Sequence, residues 1–361
     1  MRTLTLMAMA AVLVVTLFQC CPFTGALWKS PAPETTPVET STEEPAAPPT
    51  PSEVLPAPTS TPEVKPDLAL IAADYPTVDG STSAHPLQVL LACKLLGVPC
   101  VWEADPFTSL RRIAPDPAYE GSPRLVQTIF NIQHSGTHGS YMSLIEGNAD
   151  LILVARPPSK DELKAARENG TTLDVRAVAL DAFVFLLNVE NPVDSLRLET
   201  VQDIYTGRIA NWAEVAVVEG QGGDVRGQIN AYQRNPSSGS QELMETLVMR
   251  GEPMIDAPDM ILETMMGPVN AIAEDPLGIG YSVYYYAMFI FPHEQVKLID
   301  IDGVNPTSDT VAKRAYPLTT EVYAVVRDDM PQDSTAIMLR DWLLTEEGQA
   351  VIEESGYVPI S

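Results

Sequence analysis

From residue 67 onward, short apolar runs alternate with segments whose apolar residues recur every three or four positions. Runs of strand length occur at Leu68–Ala73, Ala149–Ala155, Ala177–Asn188, Gln228–Tyr232, Ile279–Val283, Val296–Ile301 and Thr320–Val326. Continuous apolar runs suit strands covered on both faces of a sheet, so each is expected to be a strand. Between them, Pro86–Leu96 carries Leu87, Leu90, Leu91 and Leu95 at helical spacing. Gly139–Ile145, Lys160–Glu168, Glu199–Tyr205, Ser240–Arg250 and Thr335–Leu344 keep the same period and are expected to be helices. Strands alternating with helices imply an α/β fold with a mainly parallel sheet flanked by helices. In such sheets ligands bind beyond the carboxyl ends of strands, where loops enter helices.

The first 66 residues follow a different pattern. Met1 and Arg2 precede an uncharged apolar run from Leu4 to Phe18, and no charge returns until Lys29. A basic start and an apolar stretch of this length read as a secretory signal, shorter than the roughly 20 residues of a membrane span. Leu17-Phe18-Gln19-Cys20 is similar to a lipoprotein signal box, which makes Cys20 and Cys21 candidates for lipidation. Gln19 stands where such boxes carry a small residue, and Thr24-Gly25-Ala26 offers an ordinary cleavage site instead. An uncleaved signal anchor is the third option. From Pro22 to Pro66 there are 12 prolines in 45 residues, with little that is apolar to bury. Such a segment favours extended polyproline II and acts as a semi-rigid spacer. The expected layout is residues 1–26 as signal or anchor and residues 27–66 as linker. Export to the outer face of the membrane or the cell surface follows, with the chain tethered by its N-terminus.

Composition narrows the function classes. Hydrophobic residues are 45% and charged residues 19% of 361, a globular rather than a disordered composition. The formal net charge of −26 argues against a nucleic-acid binder, which grips phosphates with clustered Lys and Arg. Cys93 and Cys100 are the cysteines beyond the signal region. Gly97 and Pro99 end the preceding helix, so the chain can fold back into a small disulfide loop. Two buried thiols packing as small apolar groups are the alternative.

Three short loops share one chemical style. They are Asp79-Gly80-Ser81-Thr82-Ser83, His134-Ser135-Gly136-Thr137-His138 and Arg234-Asn235-Pro236-Ser237-Ser238-Gly239-Ser240, each leading into a helix. Gly lets the backbone approach a ligand closely. The first amides of a helix have no intrahelical partner, and the helix dipole favours an anion there. Any one loop could be simple helix capping, but three in one α/β chain point to an oxyanion site. Arg234 adds a guanidinium that can clamp two oxygens of a tetrahedral anion.

At these residues the chain resembles the phosphate-binding proteins of bacterial ABC importers, of the type II periplasmic-binding superfamily. The three loops match that family's anion loops in order. Glu146-Gly147-Asn148-Ala149-Asp150, Ile204–Ile209 with Asn211-Trp212, Gly278-Ile279-Gly280-Tyr281 and Tyr316-Pro317-Leu318 match further landmarks. The likeness runs from about Tyr75 to Pro359. It implies two lobes with the ligand cleft between them, lobe one being 67–180 and 317–361 and lobe two 181–316. The chain would cross between lobes near Ala179–Phe183 and return near Tyr316–Glu321, giving a hinge. The implied activity is capture of phosphate, or a similar oxyanion, for an ABC permease, by a monomer without cofactor or catalysis. Ser81, Thr82, Ser83, Ser135, Gly136, Thr137, Ser238, Gly239 and Ser240 would donate hydrogen bonds, Arg234 would neutralise the anion, and Arg156 would be a second cation. Arg156 stands where several members place an Asp that accepts the proton of monohydrogen phosphate. Asp79, Asp150 and Asp181 are the candidates left for that role.

Other chemistries fit less well. His134 and His138 have helical metal spacing, but Gly136 lies between them in a loop. Ser238 lacks a nucleophile elbow and a His/Asp partner, so no enzyme is expected. The aromatic run Tyr284-Tyr285-Tyr286 with Phe289 and Phe291 reads as core and sheet cover, with the lining of a ligand cleft as the alternative, and the cluster Met260, Met265, Met266 reads as gap-filling packing. The competing reading is a surface-tethered, non-catalytic binding or adhesion module with the same fold and another ligand.

Overall fold

The computed structural model describes residues 67–108, 110–220 and 225–360. The signal, the linker and Cys20 and Cys21 lie outside the described residues. No helix among the described residues is long and apolar enough to cross a membrane.

Six of the apolar runs assemble one eight-stranded sheet together with Val78–Gly80 and Val358–Pro359, which the pattern did not signal. Its strands are β1 (Val78–Gly80), β2 (Leu151–Val154), β3 (Leu173–Asn188), β4 (Asn230–Ala231), β5 (Gly278–Val283), β6 (Val296–Leu298), β7 (Thr319–Arg327) and β8 (Val358–Pro359). The spatial order is β1-β2-β7-β3-β5-β4, with β6 and β8 also pairing β3. β1 pairs β2 in parallel, and β4 pairs β5 in parallel. Long β7 is antiparallel to both β2 and β3, and β5 is antiparallel to β3, so the sheet is mixed, which corrects the expectation of a mainly parallel one: buried apolar runs mark covered strands but not their direction.

β3 is shared by two halves of this sheet. Leu173–Ala182 pair with β7, and Phe183–Leu187 pair with β5. From Val178 to Asn188 every residue of β3 is buried, which explains an apolar run interrupted only by Asp181 before it ends at Asn188. Phe183, Phe185, Tyr205 and Tyr281 meet there with ring centroids 5.4–6.4 Å apart, a spacing at which tilted and edge contacts are favourable.

The helices that position the site are α2 (His85–Leu96), α3 (Gly136–Ile145), α4 (Lys160–Glu168) and α5 (Gly239–Leu243). Before them comes α1 (Leu68–Ala73), a helix where the apolar run led to the expectation of a strand. The Asp67 carboxylate accepts from the amides of Ala69 and Leu70, an N-cap that starts a helix. Six residues rich in Leu and Ala are good helix formers, and a run this short does not distinguish strand from helix by period. The expected helix Ser240–Arg250 is α only in α5 and continues over Met244–Met249 in wider π-helical turns.

Cys93 and Cys100 form a disulfide with Cα atoms 6.0 Å apart. Gly97 caps α2 in the left-handed region at φ 66°, which returns the chain to Cys100. Cys100 begins an antiparallel hairpin, Cys100–Ala104 with Arg111–Pro115, that the apolar pattern did not signal.

Candidate functional site

The three Gly- and hydroxyl-rich loops converge on one cavity of about 560 Å³. Ser81, Thr82 and Ser83 line it from the first loop, Ser135, Gly136 and Thr137 from the second, and Arg234, Ser238, Gly239 and Ser240 from the third.

The first loop leaves β1 at Gly80. A Cβ there would stand 1.8 Å from Gln88 Nε2 and 2.3 Å from the Leu153 carbonyl oxygen, so only glycine lets β1 lie against β2 and α2. The Ser81 amide donates to the Leu153 carbonyl (2.9 Å), and the Ser81 and Ser83 hydroxyls lie 3.2 Å apart. Tyr357, beside β8, donates its hydroxyl to the Ser83 carbonyl (3.0 Å). The C-terminal segment therefore holds the first loop.

Asp79 ties the first loop to the second. Its Oδ1 accepts from the Gly80 amide (2.7 Å), the Ser135 amide (2.8 Å) and Ser140 Oγ (3.3 Å). Gly136 takes φ 79° as α3 begins, a conformation that favours glycine. The third loop meets the second closely, since a Cβ on Gly239 would lie 2.6 Å from Thr137 Oγ1. Ser238 caps α5, accepting from the Gln241 amide (3.2 Å), and its hydroxyl lies 3.0 Å from that of Ser240.

Arg234 is buried, at 6% exposure, at the floor of the cavity. Its Nε donates to the Leu262 carbonyl (2.9 Å), Nη2 to the Glu263 carbonyl (3.3 Å) and Nη1 to Ser240 Oγ (3.4 Å). Its amide donates to the Tyr281 hydroxyl (2.9 Å), which in turn donates to Gln241 Oε1. Among the described residues no carboxylate is within ion-pair distance of this guanidinium. Burial pulls its pKa below the ordinary arginine value, with the nearby Tyr281, Tyr286 and Glu263 opposing the shift. A buried cation with only neutral partners favours an incoming anion.

Arg156 is placed elsewhere. It does not line this cavity. Its Nη1 and Nη2 donate to the two oxygens of Glu162, each at 2.8 Å, and its Nε faces Glu242. Burial acts to lower its pKa, but Glu162 and Glu242 hold it above the ordinary value. The expectation of a second anion-binding cation is therefore corrected, because two carboxylates already claim the guanidinium.

The candidate proton acceptors are likewise occupied or remote. Asp79 organises the loops, and Asp150 Oδ2 accepts from the Thr77 amide (2.9 Å). Asp181 Oδ1 accepts from the amides of Ala182 (2.8 Å) and Tyr285 (3.0 Å), and its Oδ2 has no partner. None of the three lines the cavity; the lining carboxylate is Glu263, whose Oε2 accepts from Asn235 Nδ2 (3.0 Å).

Asp181 instead carries a pH dependence. Burial pushes its carboxyl up to about 7, against the two amides that lower it. The folded state then holds the proton more tightly than the unfolded chain, so stability falls as pH rises from about 4 to 7. Asp181→Asn removes this term. The variant is expected to gain on the order of 2–4 kcal/mol over the parent at pH 8 and much less at pH 5, read by urea unfolding. A gap that does not change with pH would contradict the assignment.

Several lining residues carried little sequence signal. Met265 Sδ lies 3.4 Å from Arg234 Nη1, and Tyr286 and Leu110 also face the cavity. Met265 belongs to a cluster that reads as packing, while Tyr286 meets the alternative reading of its aromatic run as a cleft lining; the places of both depend on distant elements. His134 lines the cavity with its ring 4.4 Å from that of His85. His138 instead meets Glu162 Oε1 (3.0 Å).

Residues 117–347 match the family model described as a PBP superfamily domain. The phosphate-binding protein PstS of Staphylococcus saprophyticus is 25% identical over 234 residues, 63% of this chain and 70% of that protein. Protein SphX of Synechococcus elongatus is 24% identical over 311 residues, 82% of this chain and 87% of that protein. Among solved structures, a putative phosphate ABC transporter substrate-binding protein with bound phosphate from Clostridium perfringens aligns with TM-score 0.56. It is 21% identical and covers 79% of this chain and 98% of its own. An ABC-type phosphate transport receptor from Vibrio cholerae gives TM-score 0.54 at 22% identity, covering 78% of this chain and 98% of its own. These likenesses establish a shared fold.

Proposed function

The chain belongs to the PBP superfamily, and on that premise we propose that it is an extracytoplasmic solute-binding protein that captures phosphate, or a similar tetrahedral oxyanion, for an ABC importer. The observation that carries this reading is Arg234, a buried guanidinium without a carboxylate, surrounded by three loops of Ser, Thr and Gly. The name of the relative PstS, a phosphate-binding protein, and the phosphate bound in the Clostridium perfringens structure support the same anion.

In this reading binding needs no chemical step. Hydroxyls of Ser81, Thr82, Ser83, Ser135, Thr137, Ser238 and Ser240 and the amides at the starts of α3 and α5 donate to the anion's oxygens. Arg234 supplies the compensating charge. Lobe one (67–180 and 317–361) carries the first two loops and lobe two (181–316) the third. The two close about the shared strand β3 and the return near Tyr316. The convergence of the loops supports capture over a tethered module with another ligand. The basic start, the apolar run and the proline-rich segment support an exported protein tethered at its N-terminus, with Cys20 or Cys21 as the lipid-bearing residue.

The test is isothermal titration calorimetry on protein dialysed free of phosphate, with phosphate, sulfate, molybdate and a phosphonate as titrants. Saturable heat with phosphate is expected. No heat with any oxyanion, on protein shown to be folded, would sink the reading.

A further inference from the structure

Arg156 is withdrawn from the anion, yet it sits at the seam where the third loop meets the first two. Its guanidinium is fixed from one side. Ser159 and Glu162 form a capping box at the start of α4, and within it the Glu162 carboxylate also accepts from the Ser159 amide (2.8 Å). Glu162 is fully buried and holds Arg156 bidentately, while Arg156 Nη1 also donates to the Pro157 carbonyl (2.9 Å). The Tyr141 ring lies 5.6 Å from the guanidinium carbon. All these partners belong to α3, to α4 or to the turn after β2.

The remaining edge of Arg156, Nε, faces Glu242. Glu242 is on α5, two residues beyond Ser240, and its side chain is 28% exposed. α5 follows the Arg234 segment and packs against β5, in the other half of the sheet, while its start also meets α3. The pair therefore joins the helix that presents Ser238–Ser240 to the half that carries the first two loops. A second cavity, of about 710 Å³, opens on its far side and is lined by Arg156, Ser159, Glu242, Glu245 and Thr320. Ala155 and Leu243 line both cavities, so the pair flanks the anion cavity directly. A buried pair of this kind depends on close geometry, and water on the cavity side can hydrate both ions once they part.

We propose that Arg156 and Glu242 form a closure latch, an ion pair made only when the two halves close on the anion, with Glu162 as its fixed anchor. This rests on the reading of the cavity as an oxyanion site. Arg156 and Glu242 are then positioning residues, and they act on affinity without touching the ligand. Losing a buried charged pair across an interface acts chiefly on dissociation.

Stopped-flow kinetics with inorganic phosphate on the full chain and on Glu242→Gln tests this. Glu242→Gln is expected to raise the phosphate Kd about tenfold, nearly all of it in the dissociation rate, with association within about twofold. Without phosphate its melting temperature is expected to match the parent, since the latch is open there. Glu242→Asp keeps the charge with a shorter reach and is expected to fall between the two. An unchanged dissociation rate would overturn the latch. So would an equal loss of melting temperature with and without phosphate, which marks a merely structural pair. Failure of the parent to bind phosphate at all would instead overturn the underlying site assignment.

Discussion

Arg234→Met is expected to weaken phosphate binding at least about 100-fold while leaving the ligand-free protein nearly as stable as the parent. Each charge-assisted hydrogen bond contributes about 1.5–3 kcal/mol, and a guanidinium facing a tetrahedral anion makes two. Two such bonds correspond to roughly two to four factors of ten in Kd. The small cost to the ligand-free state follows from the surroundings. The side chain hydrogen-bonds to two carbonyls and a serine but has no carboxylate partner, so methionine gives up few contacts and removes a buried charge. Arg234→Lys keeps the charge but not the planar fork and should lose about tenfold. Calorimetry with phosphate and a thermal melt without it check both halves. Phosphate affinity that survives Arg234→Met would remove the cation from the site.

Gly80→Ala is expected to be strongly destabilising. The added Cβ would collide with the Leu153 carbonyl at 2.3 Å, and that carbonyl belongs to the sheet ladder and cannot move aside. Gln88, 1.8 Å away, would also lose the site from which its Nε2 donates to the Asp79 carbonyl (3.1 Å). Overpacking of this kind costs about 1–3 kcal/mol, a fall in Tm of roughly 2–10 °C for a domain this size. Ser81–Ser83 would shift with β1, so phosphate affinity should fall as well. Gly136→Ala is the control. Its φ of 79° imposes strain, but nothing lies within 4 Å of the new methyl, so about 1 kcal/mol is expected. A thermal melt of the two variants separates collision from strain. Equal losses would show that the close approach at Gly80 has no special weight.

The chain's own sequence determined what is settled within a few residues. The strand runs 177–188 and 279–283, the helices at 86–96 and 160–168 and the three loops could be read because period, capping and glycine act locally. Arg234 stood out because a cation among hydroxyl residues at a helix start already has a meaning. Local pattern failed where several local solutions are equally good. Leu68–Ala73 is apolar enough for a strand, and the cap at Asp67 made it a helix. The tertiary structure alone decided which charges meet. Asp79 reaches Ser135 and Ser140, 56 and 61 positions away, and so joins two loops that the sequence shows only separately. Arg156 and Arg234 look alike in sequence, each a cation just beyond an apolar run. One is neutralised by Glu162 and Glu242 and the other meets only neutral partners. The energy of a charge depends on what lies within a few ångströms of it in space, and folding sets that neighbourhood through contacts that no local pattern records.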